Sequence, residues 1–133
     1  MIADMLAGLR RAGVLGMNRR NADYIMRCNP RSSYPRVDNK VLTKQLAEKH
    51  GIPTPRLHHV VHYHGDIPGL AHVLEGLQRF VLKPARGAGG SGIVLITGRT
   101  TRGFVTQSGD VIPWAELSYH ISDILSGIYS LSA

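Results

Sequence analysis

One cysteine, Cys28, stands in 133 residues, so the chain by itself forms no disulfide and no cysteine-based metal cluster. Aromatic residues are scarce at 6%, with one tryptophan and two phenylalanines, which leaves few rings for stacking on bases. No apolar run is long enough to span a membrane. The opening Met1-Ile2-Ala3-Asp4-Met5-Leu6 carries an acid inside its apolar stretch and is followed by Arg10 and Arg11, the reverse of a secretory signal's order. A soluble, cytoplasmic protein without membrane partners is the expectation. Acids are few as well: nine Asp and Glu against sixteen Lys and Arg give a net charge of +7. Arg10, Arg11, Arg19, Arg20, Arg27, Arg31 and Arg36 crowd the N-terminal third. Such charge suits nucleic acid, but it suits an anionic nucleotide or an acidic substrate equally, and the few aromatics do not interleave with these arginines. Charge alone does not choose, although the shortage of rings weighs against nucleic acid.

Glycine is concentrated where the chain is most informative. Phe80-Val81-Leu82-Lys83-Pro84 leads into Ala85-Arg86-Gly87-Ala88-Gly89-Gly90-Ser91-Gly92, and Ile93-Val94-Leu95-Ile96-Thr97 follows. The pattern predicts strand, flexible loop, strand. Glycine loses more backbone entropy on folding than any other residue, so four glycines in six positions need a reason, and close approach of backbone amides to a phosphate is one. A ligand-free hairpin is the alternative. Lys83 lies inside the first apolar run, where an unpartnered charge is costly to bury, and an anion over the loop would partner it. The spacing Gly87, Gly89, Gly92 matches a dinucleotide fingerprint, with Asp110 at the distance of a ribose-binding acid. That context fails, because Gly92 opens a β-branched strand and not a helix. No Gly-Lys-Ser/Thr follows, so a Walker loop is excluded too.

Elsewhere the pattern predicts a compact α+β fold with a largely antiparallel sheet. Ile2, Met5, Leu6 and Leu9 recur at helical spacing up to Gly13, and Val14-Leu15-Gly16-Met17 suggests a brief strand. Asn18, Arg19 and Arg20 are candidates to hold a substrate anion, with a solvated, locally capped segment as the alternative. Arg31 to Arg36 reads as a connector. Asp38 reads as the N-cap of a helix carrying Val41, Leu42, Leu46 and Ala47 up to Gly51, with Pro53 and Pro55 beyond. Lys40 falls in the first turn of that helix, where the dipole disfavours a cation unless something else holds it. Arg56 to His64 reads as a strand, and Asp66 as the cap of a helix facing the core with Leu70, Val73, Leu74 and Leu77. Gly98 to Gly103 is expected as a turn, Phe104 to Gln107 and Val111-Ile112 as strands, and Pro113 as the start of a helix with Leu117, Ile121, Ile124, Leu125 and Ile128 on one face.

His58, His62 and His64 share strand parity, with His59 opposite. Neighbouring ligands on a flat strand converge poorly on a tetrahedral metal, so no metal is expected there, and the role of the four histidines stays open. Nothing marks a serine as a nucleophile.

Lys40 at a helix start, Gly51-Ile52-Pro53-Thr54-Pro55 after it, and Phe80 to Pro84 running into the Gly87 to Gly92 loop together resemble the ATP-grasp superfamily. The likeness is nearest to RimK-type, alpha-L-glutamate ligase-like proteins, which share the Gly16-Met17-Asn18-Arg19-Arg20-Asn21-Ala22-Asp23-Tyr24-Ile25 opening, and it spans Val14 to Leu131. The resemblance implies an ATP-grasp N-terminal lobe with a glycine-rich flap between two strands. It implies a carboxylate-amine ligase working through an acyl phosphate, with ATP, magnesium, an amino-acid or peptide carboxylate and an amine acceptor as its partners. By the same resemblance Lys40, Lys83, Gly87, Ala88, Gly89, Gly90, Ser91, Gly92 and Ile93 would contact ATP. The later Asp, Glu and Asn set that holds magnesium in such ligases has no counterpart here, so the expectation is an N-terminal portion, inactive alone, completed by further chain, by a second protein or in a homo-oligomer. The expected divisions are 1–37, an N-terminal helix and connector; 38–113, the nucleotide-binding subdomain; and 114–133, a helix leading onward. A non-catalytic nucleotide- or nucleic-acid-binding module is the alternative.

Overall fold

In the computed structural model, residues 2–130 are described; the last three positions of the expected 114–133 segment, and the Leu131 end of the resemblance, lie outside them. The chain divides into two compact units, Met1–Val37 and Asp38–Ala133.

In the first unit the apolar stripe forms α1 (Ile2–Arg11), with Asp4 in its first turn and Arg10 and Arg11 in its last, each on the side that the helix dipole favours. The strand expected over Val14 to Met17 does not form. A strand needs a neighbour's backbone, whereas the Val14 N–H is already given to Leu9 O at 2.9 Å. Gly16 leads instead into a helical run: α2 (Met17–Arg19), a π-helical stretch (Arg20–Ile25) and α3 (Met26–Cys28). A 3-10 turn (Arg31–Ser33) and α4 (Pro35–Asp38) follow. No described residue of this unit is buried.

The second unit begins with α5 (Lys40–Lys49). Its N-cap is Asn39 and not Asp38: Asp38 is taken into α4, while Asn39 is extended and its Oδ1 accepts from the N–H groups of Val41 at 3.0 Å and Leu42 at 3.2 Å. The strand expected over Arg56 to His64 is also absent; residues 52–62 are irregular. Pro53 and Pro55 lack N–H donors, and the N–H groups of His62 and Tyr63 both go to Asp66 Oδ2 at 3.0 Å, so a ladder has little left to use. Asp66 therefore ties down the preceding turn (a 3-10 stretch, His64–Asp66) and does not cap α6 (Ile67–Glu75) with its side chain.

Four antiparallel strands follow in sequence order, β1 (Phe80–Leu82), β2 (Val94–Thr100), β3 (Gly103–Thr106) and β4 (Val111–Ile112). The expected turn at Gly98 to Gly103 is shorter, because β2 runs on through Arg99, which pairs with Phe104 beyond an irregularity between Ile96 and Gly98. Then α7 (Trp114–Leu125) closes the core. Leu70 and Leu74 of α6, Ile96 of β2, Phe104 of β3, and Leu117 and Ile121 of α7 form the buried cluster, with Val73, Leu77 and Leu125 packed against it. Pro113 is the N-cap of α7, and Ile128 falls past its end at 65% exposed, off the expected face. Strand alternation accounts for the layering: Phe80 pairs with Ile96 and Leu82 with Val94 on the core side, while Val81 between them is exposed. The result is an α+β fold with helices on one sheet face and a glycine-rich hairpin joining β1 to β2. Among the described residues, no helix is long and apolar enough to cross a membrane.

Candidate functional site

The loop between β1 and β2 gathers the residues that sequence singles out. Continuing the alternation of β1, Lys83 falls on the side of Val81, away from the core, and is exposed, while Pro84 is buried. The burial cost expected for Lys83 is therefore not incurred; the strand ends at Leu82 and hands its cation to the open face.

Lys40 reaches the same loop from 47 residues away, its Nζ donating to Gly87 O at 2.8 Å. Its backbone N–H donates to Ala85 O at 2.8 Å. These two carbonyls answer the oddity of a lysine at a helix start, since each places a partial negative charge where the dipole is positive. The start of α5 is thus stitched to the entry of the loop, and Lys40 and Lys83 come to lie at one end of it.

The loop's glycines are of two kinds. At Gly92, φ is 75°, and a Cβ would fall 2.7 Å from the Tyr129 ring and 2.9 Å from Pro84. At Gly87, φ is 149° and a Cβ would come 2.9 Å from Tyr129 O. These base positions admit no side chain. The tip glycines, Gly89 and Gly90, face open space, and neither donates a backbone hydrogen bond among the described residues. Beyond the tip, Ser91 N donates to Ala88 O at 3.3 Å and Ile93 N to Gly90 O at 3.4 Å, both long, so the tip is held weakly by its own backbone. A shallow depression lined by Ile93, Val94, Leu95, Thr106, Gln107 and Ser108 lies beside the loop's exit.

Two residues that sequence reading passed over also meet the loop: His120 of α7, whose Nε2 is 3.0 Å from Gly92 O, and Tyr129 beyond it. The available signal was slight. His120 lies next to Ile121 and one turn from Leu117, so a polar ring flanks the buried face of α7 and calls for a partner.

A match to a known family covers residues 19–133, and that family is described as sugar-transfer associated ATP-grasp. The chain belongs to this family. Comparison with curated proteins found no match, and neither did comparison with solved structures. Membership is consistent with the antiparallel sheet and its covering helices, and it places the chain in an ATP-binding, ligase-like superfamily.

The remaining candidates have partners or surroundings of their own. Asn18, Arg19 and Arg20 are exposed on the first unit, where Arg19 Nε pairs with Asp23 Oδ2 at 3.2 Å and Arg20 Nη2 donates to Asn21 Oδ1 at 3.1 Å. Asp110 accepts from Ser108 Oγ at 2.6 Å and so closes its own turn. His64 Nε2 lies 3.4 Å from Ser126 Oγ, and the His62 ring is tilted against Tyr63 with centroids 6.2 Å apart. Among the described residues, no three of His, Cys, Asp and Glu gather so as to hold a metal ion. Asp66 has its carboxyl pKa lowered by the N–H groups of Tyr63 and His62, with a smaller contribution from nearby imidazole charge.

Proposed function

We propose that this ATP-grasp chain binds ATP at the β1 to β2 loop and serves a carboxylate-amine ligation that proceeds through an acyl phosphate, in the manner of RimK-type glutamate ligases. The observation that carries the reading is the pairing of Lys40 with Gly87 O at 2.8 Å, which draws a second lysine from a distant helix to the loop that Lys83 precedes. An ammonium group has three donors, and with one given to Gly87 the others remain for phosphate oxygens. The amides of Gly89 and Gly90, which donate to no backbone carbonyl among the described residues, suit the same oxygens. Ile93 and the depression beside it offer an apolar seat for a base. A loop that closes there excludes the water that would hydrolyse an acyl phosphate. Magnesium would be held between the nucleotide's phosphates and one or two carboxylates, which the resemblance puts in a set beyond this chain's own residues. Because the family is described as sugar-transfer associated, a carboxylated or amino sugar belongs beside glutamate among the substrates to assay.

The test is titration of MgATP into the wild-type chain and into Lys83→Met and Lys40→Met. Loss of one charge-assisted contact is worth roughly 1.5 to 3 kcal/mol, so Lys83→Met should bind on the order of tenfold more weakly or worse. Equal affinity in all three proteins would sink the assignment. ADP release that requires both a carboxylate and an amine, assayed with the chain alone, where none is expected, and with the complementing magnesium-holding segment, then tests the reaction class. A steep salt dependence with single-stranded nucleic acid and no preference for ATP would favour a nucleic-acid module instead.

A further inference from the structure

His120 and Tyr129 stand where the glycine loop returns to the sheet, and neither has a part in the contacts to phosphate proposed above. Gly92 O only accepts, so His120 Nε2, at 3.0 Å, must be the donor. In the neutral ring Nδ1 is then the acceptor, and the Tyr129 hydroxyl lies 3.5 Å from it. The two rings are tilted against each other with centroids 5.2 Å apart. The same tyrosine ring occupies the space where a Cβ on Gly92 would sit, at 2.7 Å. Two segments 28 residues apart thus meet at Gly92: the loop exit, and α7 with the chain just beyond it, His120 on the carbonyl and Tyr129 against the Cα. At the opposite end Lys40 holds the Gly87 carbonyl at 2.8 Å, while the tip between these ends has only long backbone contacts of its own.

We propose that His120 and Tyr129 form a latch on the exit base of the glycine loop, His120 acting as a positioning residue that fixes Gly92 so that the tip swings as a flap about a held base. The latch stands on the chain's own contacts; its consequence for nucleotide binding rests on the ATP-binding reading above. A flap whose base is loose spends less time in the competent pose, and apparent affinity falls by the fraction of time lost.

The loop carries its own probe. Arg86 is exposed at the entry and precedes Gly87, and Arg102 is exposed in the β2 to β3 turn and precedes Gly103, so trypsin can report on the loop with an internal reference. Cleavage after each arginine, followed by mass spectrometry on the 133-residue chain, should show the Arg86 rate rising relative to Arg102 by about two- to tenfold in His120→Ala, the worth of one hydrogen bond. His120→Gln, whose amide can donate to the same carbonyl, should restore much of the difference. Tyr129→Phe keeps the ring and removes the longer contact, so it should act in the same direction but less. An unchanged Arg86 to Arg102 ratio in His120→Ala, or failure of glutamine to restore it, overturns the latch. If His120→Ala does not fold, the Tyr129→Phe ratio and hydrogen exchange over residues 87–93 in that variant decide instead, and wild-type values there overturn it equally. MgATP added to wild type should slow cleavage after Arg86, with half-protection in His120→Ala needing more nucleotide by about the same factor as the rate change. Absence of protection in wild type, with the His120→Ala effect intact, would remove the nucleotide reading and leave the latch standing. Protection in both proteins at the same concentration would remove the latch's functional role and leave the nucleotide reading.

Discussion

The two units use the same sequence device to opposite ends. Ile2, Met5, Leu6 and Leu9 recur at helical spacing just as Leu70, Val73, Leu74 and Leu77 do, and both sets form helices except for Leu77, which lies just past the Gly76 C-cap of α6. The first set stays 41% to 72% exposed, whereas Leu70 and Leu74 are each 5% exposed. Periodicity decides that a helix forms and which face is apolar. It does not supply the surface on which that face packs, and only the second unit offers one, a sheet with α7 beside it. The same contrast holds among the arginines: Arg99 in the second unit is committed to a helix end and a ring, while Arg19 in the first has one exposed carboxylate.

The largest test of this contrast is truncation of one leucine from each unit. Leu117 is 1% exposed at the centre of the cluster, so Leu117→Ala should cost about 2 to 5 kcal/mol through lost burial and the cavity left behind. Leu6, 50% exposed, has no such cavity to leave, and Leu6→Ala should change stability by less than about 0.5 kcal/mol. Urea denaturation of both variants measures the difference. Comparable losses would mean that the first unit's apolar face is covered in solution.

What sequence made legible follows the same line. The core faces of α6 and α7, the hairpin and the glycine loop are local patterns, and each has its own period or composition. The expected strand at Arg56 to His64 failed because alternation cannot see that Asp66, a few residues on, takes the N–H groups of His62 and Tyr63. The cap at Asp38 failed because Asp38 and Asn39 are both good caps, and the choice depends on α4 having absorbed the first. At the candidate site the residue types were legible and their contacts were not. Lys40 to Gly87 spans 47 residues and His120 to Gly92 spans 28, and no local pattern encodes such closures. The oddity of Lys40 in a first helical turn was the one trace of a long-range contact that sequence did carry.

A smaller effect than the core truncation is expected at Arg99. Its Nη1 donates to Leu74 O at 2.7 Å, which also accepts from the Leu77 N–H at 3.0 Å, and to Glu75 O at 3.2 Å, both at the end of α6, and its guanidinium lies 4.8 Å from the Phe104 ring centroid. The cation faces the negative end of the helix dipole and the negative face of the ring together. Arg99→Ala should therefore cost about 1 to 3 kcal/mol, and Arg99→Lys, which loses the planar fork, should recover only part of it. Full recovery with lysine would reduce the site to charge alone.

A pH test acts on the irregular segment that precedes α6. The folded pKa of Asp66 is lowered, chiefly by the Tyr63 N–H and then by that of His62. A carboxylate so held contributes stability that is fully present above its ordinary unfolded value, near about pH 4, and is lost as pH falls through the lower folded value. In Asp66→Asn this acid-side loss should disappear, because the amide oxygen still accepts but does not titrate. Melting temperatures from pH 7 downward, compared between the two proteins, should stay parallel until about pH 4 and then converge. Parallel curves to the lowest pH would show that the two hydrogen bonds do not hold the charge.

The smallest expected effect returns to the first unit. Arg19 and Asp23 are one turn apart, with Nε and Oδ2 separated by 3.2 Å, and their side chains are 64% and 54% exposed. Water screens both charges, and holding two long side chains in register costs rotamer entropy that nearly offsets the attraction. Arg19→Ala should therefore shift stability by less than about 0.5 kcal/mol, and by less again in high salt. The comparison with Arg99 is the useful part, since both are arginines with a defined partner and differ mainly in what surrounds it. If Arg19→Ala matched Arg99→Ala in urea denaturation, the exposed pair would have to be shielded by something in solution, and the first unit would have a covered surface after all. If Arg19→Ala leaves stability unchanged while Arg99→Ala does not, the second unit carries the cooperative fold, and Arg19 contributes charge rather than structure.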